Sequence, residues 1–259
     1  MNDLAGRTAL VTGGGRGIGA AIAWTLARRG ATVSVLARNM AQVVDVAARI
    51  RSEGLEAFAF QCDVADQAQV RDATLAAREA MGQVDLLVNN AGTAPSNPLK
   101  RVTLEEWNHV MAVNATGTFL FSQAVLPGMM ERGWGRVVNV ASIAGLMGGK
   151  YISAYTASKH AVVGFTRAVP TEVEGTGVTV NAVCAGYVDT PLTDDALDRI
   201  VHLTGKSSDE ARAMLLGQVG QSRLITADEV AGAVLDLCLD SAASVNGEAI
   251  VLDGKDGWV

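Results

Sequence analysis

Three scarcities narrow this sequence before any motif is considered. Cysteine is rare: Cys62, Cys184 and Cys238 are the only three in 259 residues. They are scattered and odd in number, with no pair at metal-ligand spacing, so no disulfide framework and no metal site is expected. Buried free thiols in a reducing cytoplasm are the default. Positive charge is never concentrated. The net charge is −6 and no long basic run occurs, which argues against nucleic acid or an anionic membrane surface as partner. Long hydrophobic runs are missing too. The longest fall far short of the roughly 20 residues a bilayer span needs. Asp3 and a strand-like run begin the chain with no basic region ahead of an apolar one, so no signal peptide is expected. What is present suffices for a core: 49% of residues are hydrophobic and 19% charged, which excludes disorder. The length suits one large α/β domain or two small ones.

The order of elements is legible from the start. Thr8 to Thr12 is a short apolar run, and Gly13-Gly14-Gly15-Arg16-Gly17-Ile18-Gly19 follows at once. An amphipathic stretch from Ile18 to Arg29 stops at Gly30, a natural C′ glycine. Val33 to Ala37 is a second apolar run. Strand, glycine turn, helix and strand make a βαβ unit, in which glycines let the backbone approach a pyrophosphate at a helix N-terminus. Further strands are expected at 57–61, 85–88, 136–140, 178–183 and 247–253, with helices between them. Capping boxes mark helix starts at Thr103/Glu106, Ser207/Glu210 and Thr226/Glu229. The expected fold is a Rossmann-type, doubly wound α/β domain with a seven-stranded, mostly parallel sheet and helices on both faces. No linker or repeat divides it.

Tyr155 and Lys159 are four apart, hence on one face of a helix. Two charges about 4 Å apart at an effective dielectric of about 20 interact by roughly 4 kcal/mol, or about three pKa units. A lysine so placed would bring the phenol toward the range of a general acid/base. Pro170 sits where that helix would continue toward Glu174, so a kink or loosening is expected there. Residues 192 to 225 read as neither strand nor core. Ala196–Leu203 and Ser208–Val219 read as two amphipathic helices, placed to cover a site and exclude water.

Thr12-Gly13 with Gly17 and Gly19 (T-G-x-x-x-G-x-G), Asn89-Asn90-Ala91-Gly92 and Tyr155-x-x-x-Lys159 together resemble the short-chain dehydrogenase/reductase family, in its branch of about 250 residues. The resemblance spans essentially residues 5 to 254. It implies a catalytic set of Asn114, Ser142, Tyr155 and Lys159, with Ser142 just past the fifth strand. It implies a cofactor site of Gly13, Gly15, Arg16, Gly17, Ile18 and Gly19, then Asp63 and Val64 at the adenine. Asn90, Ala91 and Gly92 would line the cofactor together with Tyr155 and Lys159. Gly186, the Val188 backbone and the Thr190 hydroxyl would lie at the nicotinamide carboxamide. Ala185 replaces the proline usual before Gly186, and Lys255 replaces a usual glycine.

The second strand closes with Ala37-Arg38, where an acidic residue would favour NAD. Arg38 and Arg16 could instead flank a 2′-phosphate. The implied activity is NADP(H)-dependent interconversion of a ketone and a secondary alcohol. NAD(H)-dependent hydroxy-acid or alcohol oxidation is the alternative, and a catalytically silent dinucleotide sensor the rival from another class. The ketone is expected to be 3-oxoacyl-CoA-like or a small free keto compound. Family members that dock acyl-carrier protein present arginines where this chain has Gly133 and Thr176, with Glu131, Glu172 and Glu174 nearby. An acidic carrier would be repelled. A homo-oligomer, dimer or tetramer, is implied by resemblance alone.

Overall fold

The alternation of apolar runs and amphipathic segments becomes a parallel sheet covered on both faces in the computed structural model, which describes residues 2–254. Seven strands, β1 (Thr8–Thr12), β2 (Thr32–Ala37), β3 (Ala57–Gln61), β4 (Leu86–Asn89), β5 (Gly135–Val140), β6 (Val178–Ala185) and β7 (Ala249–Leu252), pair in the order β3-β2-β1-β4-β5-β6-β7. Every pairing is parallel, as in Val11 beside Val35 and Val88.

The inner strands read as nearly unbroken apolar runs because neither face meets water, while the edge strands β3 and β7 are partly exposed. Alternate residues divide between two cores. Val11, Val33, Val35 and Val88 pack on α1 (Gly17–Arg28), α2 (Met40–Ser52) and α9 (Ala227–Cys238), through Ile22, Leu26, Val43, Ile50 and Val234. Leu10, Leu36, Leu87 and Val137 face the other way, toward Val70 and Ala77 of α3 (Gln67–Met81) and toward Phe121 and Met129 of α5 (Gly117–Glu131). Strand order reverses between β1 and β4, so the turns at their carboxyl ends part and leave a crevice. That crevice is where the motifs gather.

Several elements depart from the expected outlines. The helix started by Thr103 is continuous over Leu104–Glu131, but it consists of α4 (Leu104–Met111), a π turn at Ala112–Thr116, and α5. Its 28 residues are long and apolar enough to cross a membrane by length and composition alone. Half of the stretch that passes is buried in the fold, as in the core helix of a folded domain. The helix carrying Tyr155 and Lys159 is α6 (Ser153–Ala168), and it stops short of Glu174. Pro170 lies in the 3-10 turn Val169–Thr171 that follows, where it has no N–H for the Thr166 carbonyl. The expected loosening is present.

Of the two lid-like helices, α7 (Pro191–Thr204) begins earlier than expected, with Pro191 at its first turn, and α8 spans Ser208–Gly217. They pack on each other through Leu197, Ala211 and Leu215, apart from the sheet cores. This explains why 192–225 carries no strand signal and little sheet-facing apolar surface. Lys255 lies outside the described residues.

Candidate active site

A cleft of about 960 Å³ opens over the carboxyl ends of β1, β2 and β4. The turn after β1 supplies Gly13, Gly15, Arg16, Gly17, Ile18 and Gly19 to its wall. Gly13 (φ 65°) and Gly17 (φ 53°) take the left-handed conformation that a side chain disfavours. A Cβ on Gly19 would run into the Gly13 carbonyl and the Asn90 amide. Asn90 is the reason for that crowding. Its Nδ2 donates to the carbonyls of Thr12 (3.0 Å) and Gly13 (3.2 Å), while its own N–H and that of Ala91 donate to the Thr12 hydroxyl. The turns after β1 and β4 are thereby stitched together, and Asn90, Ala91 and Gly92 line the cleft.

The N-terminus of α1 has no side-chain cap and no acidic residue in its first turn. Its free N–H groups and positive dipole end suit a diphosphate. At the end of β2, exposed Arg38 lines the cleft with Arg16; the lining holds three cations (Arg16, Arg38, Lys159) and one carboxylate, Asp63. Asp63 and Val64 also line the cleft, and the Asp63 carboxylate accepts from the Ala65 N–H. A cradle of glycines, an uncapped helix end and an excess of positive charge fit a phosphorylated dinucleotide.

Tyr155 and Lys159 line the cleft as well, whereas Asn114 and Ser142 are not among its lining residues. Asn114 occupies the π turn and is 1% exposed. Its side chain accepts from Thr93 N–H (2.8 Å) and donates to the Thr93 carbonyl (2.9 Å) and to the Ser158 hydroxyl (2.9 Å). Ser158 in turn donates to the Tyr155 carbonyl. A mid-helix asparagine is a poor helix former, and here the widened turn spends its amide outside the helix. Ser142 follows β5, accepts from the Ala144 N–H, and lies beside the Tyr155 phenol. Lys159 is 5% exposed and donates to the Val140 carbonyl at 2.8 Å.

The electrostatics correct one expectation. The Tyr155 phenol is held above its usual value by burial; the Ser142 hydrogen bond pulls the other way, and nearby Tyr187 and Cys184 add to the rise. Lys159 is absent from these causes. Its ammonium is 5.8 Å from the Tyr155 ring centroid, tied to Val140, and burial brings its own pKa down to about 8. Spacing of four does put both residues on one helix face. The ammonium, however, satisfies its nearest carbonyl rather than the phenol.

A further observation concerns the turn that follows β6. Gly186 and Val188 are not among the residues lining the cleft, whereas Thr190 is. Gly186 packs on the buried amide of Gln221, which accepts from Tyr187 N–H and donates to the Tyr187 carbonyl. The Val188 carbonyl accepts from the hydroxyls of Thr193 (2.6 Å) and Thr190 (3.3 Å), so that of Thr190 is engaged locally. The residues missed in the sequence are these fixers: Thr12, Thr93, Ser158 and Gln221. Thr12 opens the glycine motif and Ser158 is a hydroxyl one turn after Tyr155 beside Lys159, whereas Thr93 and Gln221 left no signal.

Comparison with known proteins identifies the family. The profile of the short chain dehydrogenase family matches residues 7–200. The 3-oxoacyl-(acyl-carrier-protein) reductase of Escherichia coli (strain K12) is 38% identical over 251 residues, covering 96% of each chain. The D-beta-hydroxybutyrate dehydrogenase of Cupriavidus necator is 35% identical over 257 residues, covering 99% of each. A crystal structure of an actinorhodin polyketide ketoreductase variant with NADPH superposes with a TM-score of 0.91 at 38% identity, covering 98% of this chain and 97% of that one. The chain thus belongs to the short-chain dehydrogenase family and is an NAD(P)-dependent oxidoreductase.

Proposed function

We propose that the protein interconverts a ketone and a secondary alcohol with NADP(H), using Tyr155 as the proton donor and acceptor at the substrate oxygen. One observation carries this reading. Tyr155 and Lys159 line the cleft that also contains the glycine turn, Ser142 lies beside the phenol, and Asn114 and Ser158 hold the backbone turn of Tyr155 through its carbonyl. The nicotinamide of a bound cofactor would supply or accept the hydride. Ser142 orients the substrate carbonyl, a hydroxyl donor placed where negative charge develops. Lys159 binds the cofactor ribose and, on leaving the Val140 carbonyl, stabilises the phenolate. Asn114 holds a water that passes protons onward.

The glycine turn and the α1 N-terminus would hold the pyrophosphate, and Asp63 and Val64 the adenine. Asn90, Ala91, Gly92 and Thr190 would flank the nicotinamide half. Preference for NADP(H) rests on Arg16 and Arg38 and on the lack of an acidic residue at the end of β2. The relative solved with NADPH supports it. The α7–α8 pair acts as a lid, since Pro191 and Leu192 already line the cleft.

As substrate we favour a CoA thioester or a small free ketone over a carrier-bound one, although one relative is named for acyl-carrier protein. Glu131, Glu172 and Glu174 are exposed where an acidic carrier would have to approach. The test is oxidation of NADPH and NADH with acetoacetyl-CoA, ethyl acetoacetate and a panel of small ketones, with wild type and Tyr155→Phe. Turnover that survives Tyr155→Phe would remove the mechanism. Tight cofactor binding without turnover of any ketone would favour the silent sensor.

A further inference from the structure

Three Ser/Thr-x-x-Glu starts occur in this chain, and one of them behaves differently. At Ser207/Glu210 and Thr226/Glu229 the capping box is complete: the glutamate returns to the N-cap N–H. At Thr103/Glu106 only half forms. Thr103 accepts from the Glu106 N–H, but the Glu106 carboxylate is diverted to the Asn97 Nδ2 at 2.6 Å. Arg199 of α7 shows the same diversion. Asp195 stands one turn before it on the helix, yet its guanidinium reaches 102 residues away in sequence to Asn97 Oδ1 at 2.8 Å. Asn97 also uses its backbone N–H, which donates to the Tyr151 carbonyl at 2.7 Å. Tyr151 is the one non-glycine residue with positive φ (67°) among the described residues, a conformation a bulky side chain holds only when neighbours impose it.

One asparagine therefore ties three segments: the start of α4, the segment that leads from Ser142 to Tyr155, and α7. We infer that Asn97 is a positioning residue that latches the α7 lid over the substrate mouth, with Arg199 as the lid's attachment and Glu106 as its counter-charge. A neutral amide between a guanidinium and a carboxylate accepts from the cation and donates to the anion, so each bond polarises the other and both are charge-assisted. The side chains have given up partners on their own helices to make this bridge. The Tyr151 bond carries the same tie into the segment entering α6, so closure of the lid and placement of Tyr155 share one anchor.

The inference rests on the lid reading above, and two independent readouts separate their failures. Arg199→Met, Asn97→Ala and the double variant are assayed with NADPH and acetoacetyl-CoA, and backbone hydrogen exchange is followed over residues 191–204. Each single variant is expected to raise KM by about tenfold, the worth of roughly one charge-assisted bond. kcat should hold or rise, because an unlatched lid releases product sooner. Exchange in α7 should speed up, and the double variant should match the worse single one. Unchanged exchange in α7, additive effects, or a loss of kcat with KM untouched would overturn the latch. If the wild type turns over no ketone, the activity reading fails while the exchange experiment still decides the latch.

Discussion

Lys159→Met should make the protein more stable at neutral pH while abolishing turnover. The ammonium is 5% exposed, and burial lowers its pKa from 10.5 to about 8. A depression of about 2.5 units corresponds to roughly 3.4 kcal/mol that the folded state spends at pH 7 to keep this charge. Methionine of similar length removes that cost but loses the bond to the Val140 carbonyl, worth roughly 1.5–3 kcal/mol for a charged donor. The net gain at pH 7 is about 1 kcal/mol.

The pH dependence is the sharper signature. Below about 8 both folded and unfolded chains carry the charged lysine, and the penalty is complete. Between about 8 and 10.5 the unfolded chain binds the proton more tightly, so wild-type stability rises with pH; above 10.5 the penalty is gone. From pH 7 to 9.5 the wild type should gain about 2 kcal/mol on the variant, reversing their order. Groups that do not interact with Lys159 titrate alike in both proteins and cancel in the difference; the buried Cys184 thiol, which the Lys159 charge pulls down, is the coupled exception. Urea denaturation at the two pH values, extrapolated linearly, measures it. A difference that stays flat with pH, or a variant that is less stable at pH 7 by several kcal/mol, would refute the reasoning.

Arg38→Ala should raise the apparent KM for NADPH by at least tenfold and leave that for NADH nearly unchanged, because the guanidinium answers a phosphate that NADH lacks. Equal effects on the two cofactors, in steady-state kinetics, would sink the preference. Asn114→Ala removes three hydrogen bonds at the π turn and should cost about 1–3 kcal/mol in denaturant stability. Its kcat should fall more than its KM rises, since Ser158 and the Tyr155 turn lose their fixer while the cofactor wall stays. Gly19→Ala drives a methyl into backbone on one side and the Asn90 amide on the other. It should lose at least tenfold in NADPH affinity by fluorescence titration and about 1–3 kcal/mol of stability.

Residues close in sequence, and motifs with their own local physics, were legible without coordinates. The glycine turn of residues 13–19 announces itself because a backbone cradle demands missing side chains, and the βαβ context around it dictates the parallel sheet. The same holds for the caps at Ser207 and Thr226, and for Pro170 just past the end of α6, although Pro127 is carried inside α5 without ending it. Resemblance then named the site set. Of that set, Tyr155, Lys159 and Thr190 line the cleft with the glycine turn, while Asn114, Ser142, Gly186 and Val188 do not, and a buried glutamine far along the chain packs on Gly186.

Tertiary structure alone decided how the groups at the site are spent. Spacing of four places Tyr155 and Lys159 on one face, but which acceptor the ammonium chooses depends on β5 bringing the Val140 carbonyl to it. The half-open box at Thr103 follows the same rule: Glu106 bonds whichever donor the fold presents, and Asn97, held by Tyr151 and Arg199, outcompetes the helix's own N-cap. Periodicity and the N-cap's own bond to the N3 amide are properties of a few consecutive residues, so sequence determines them. A polar side chain's partner is a property of everything within about 3 Å of it, which only the packed chain supplies.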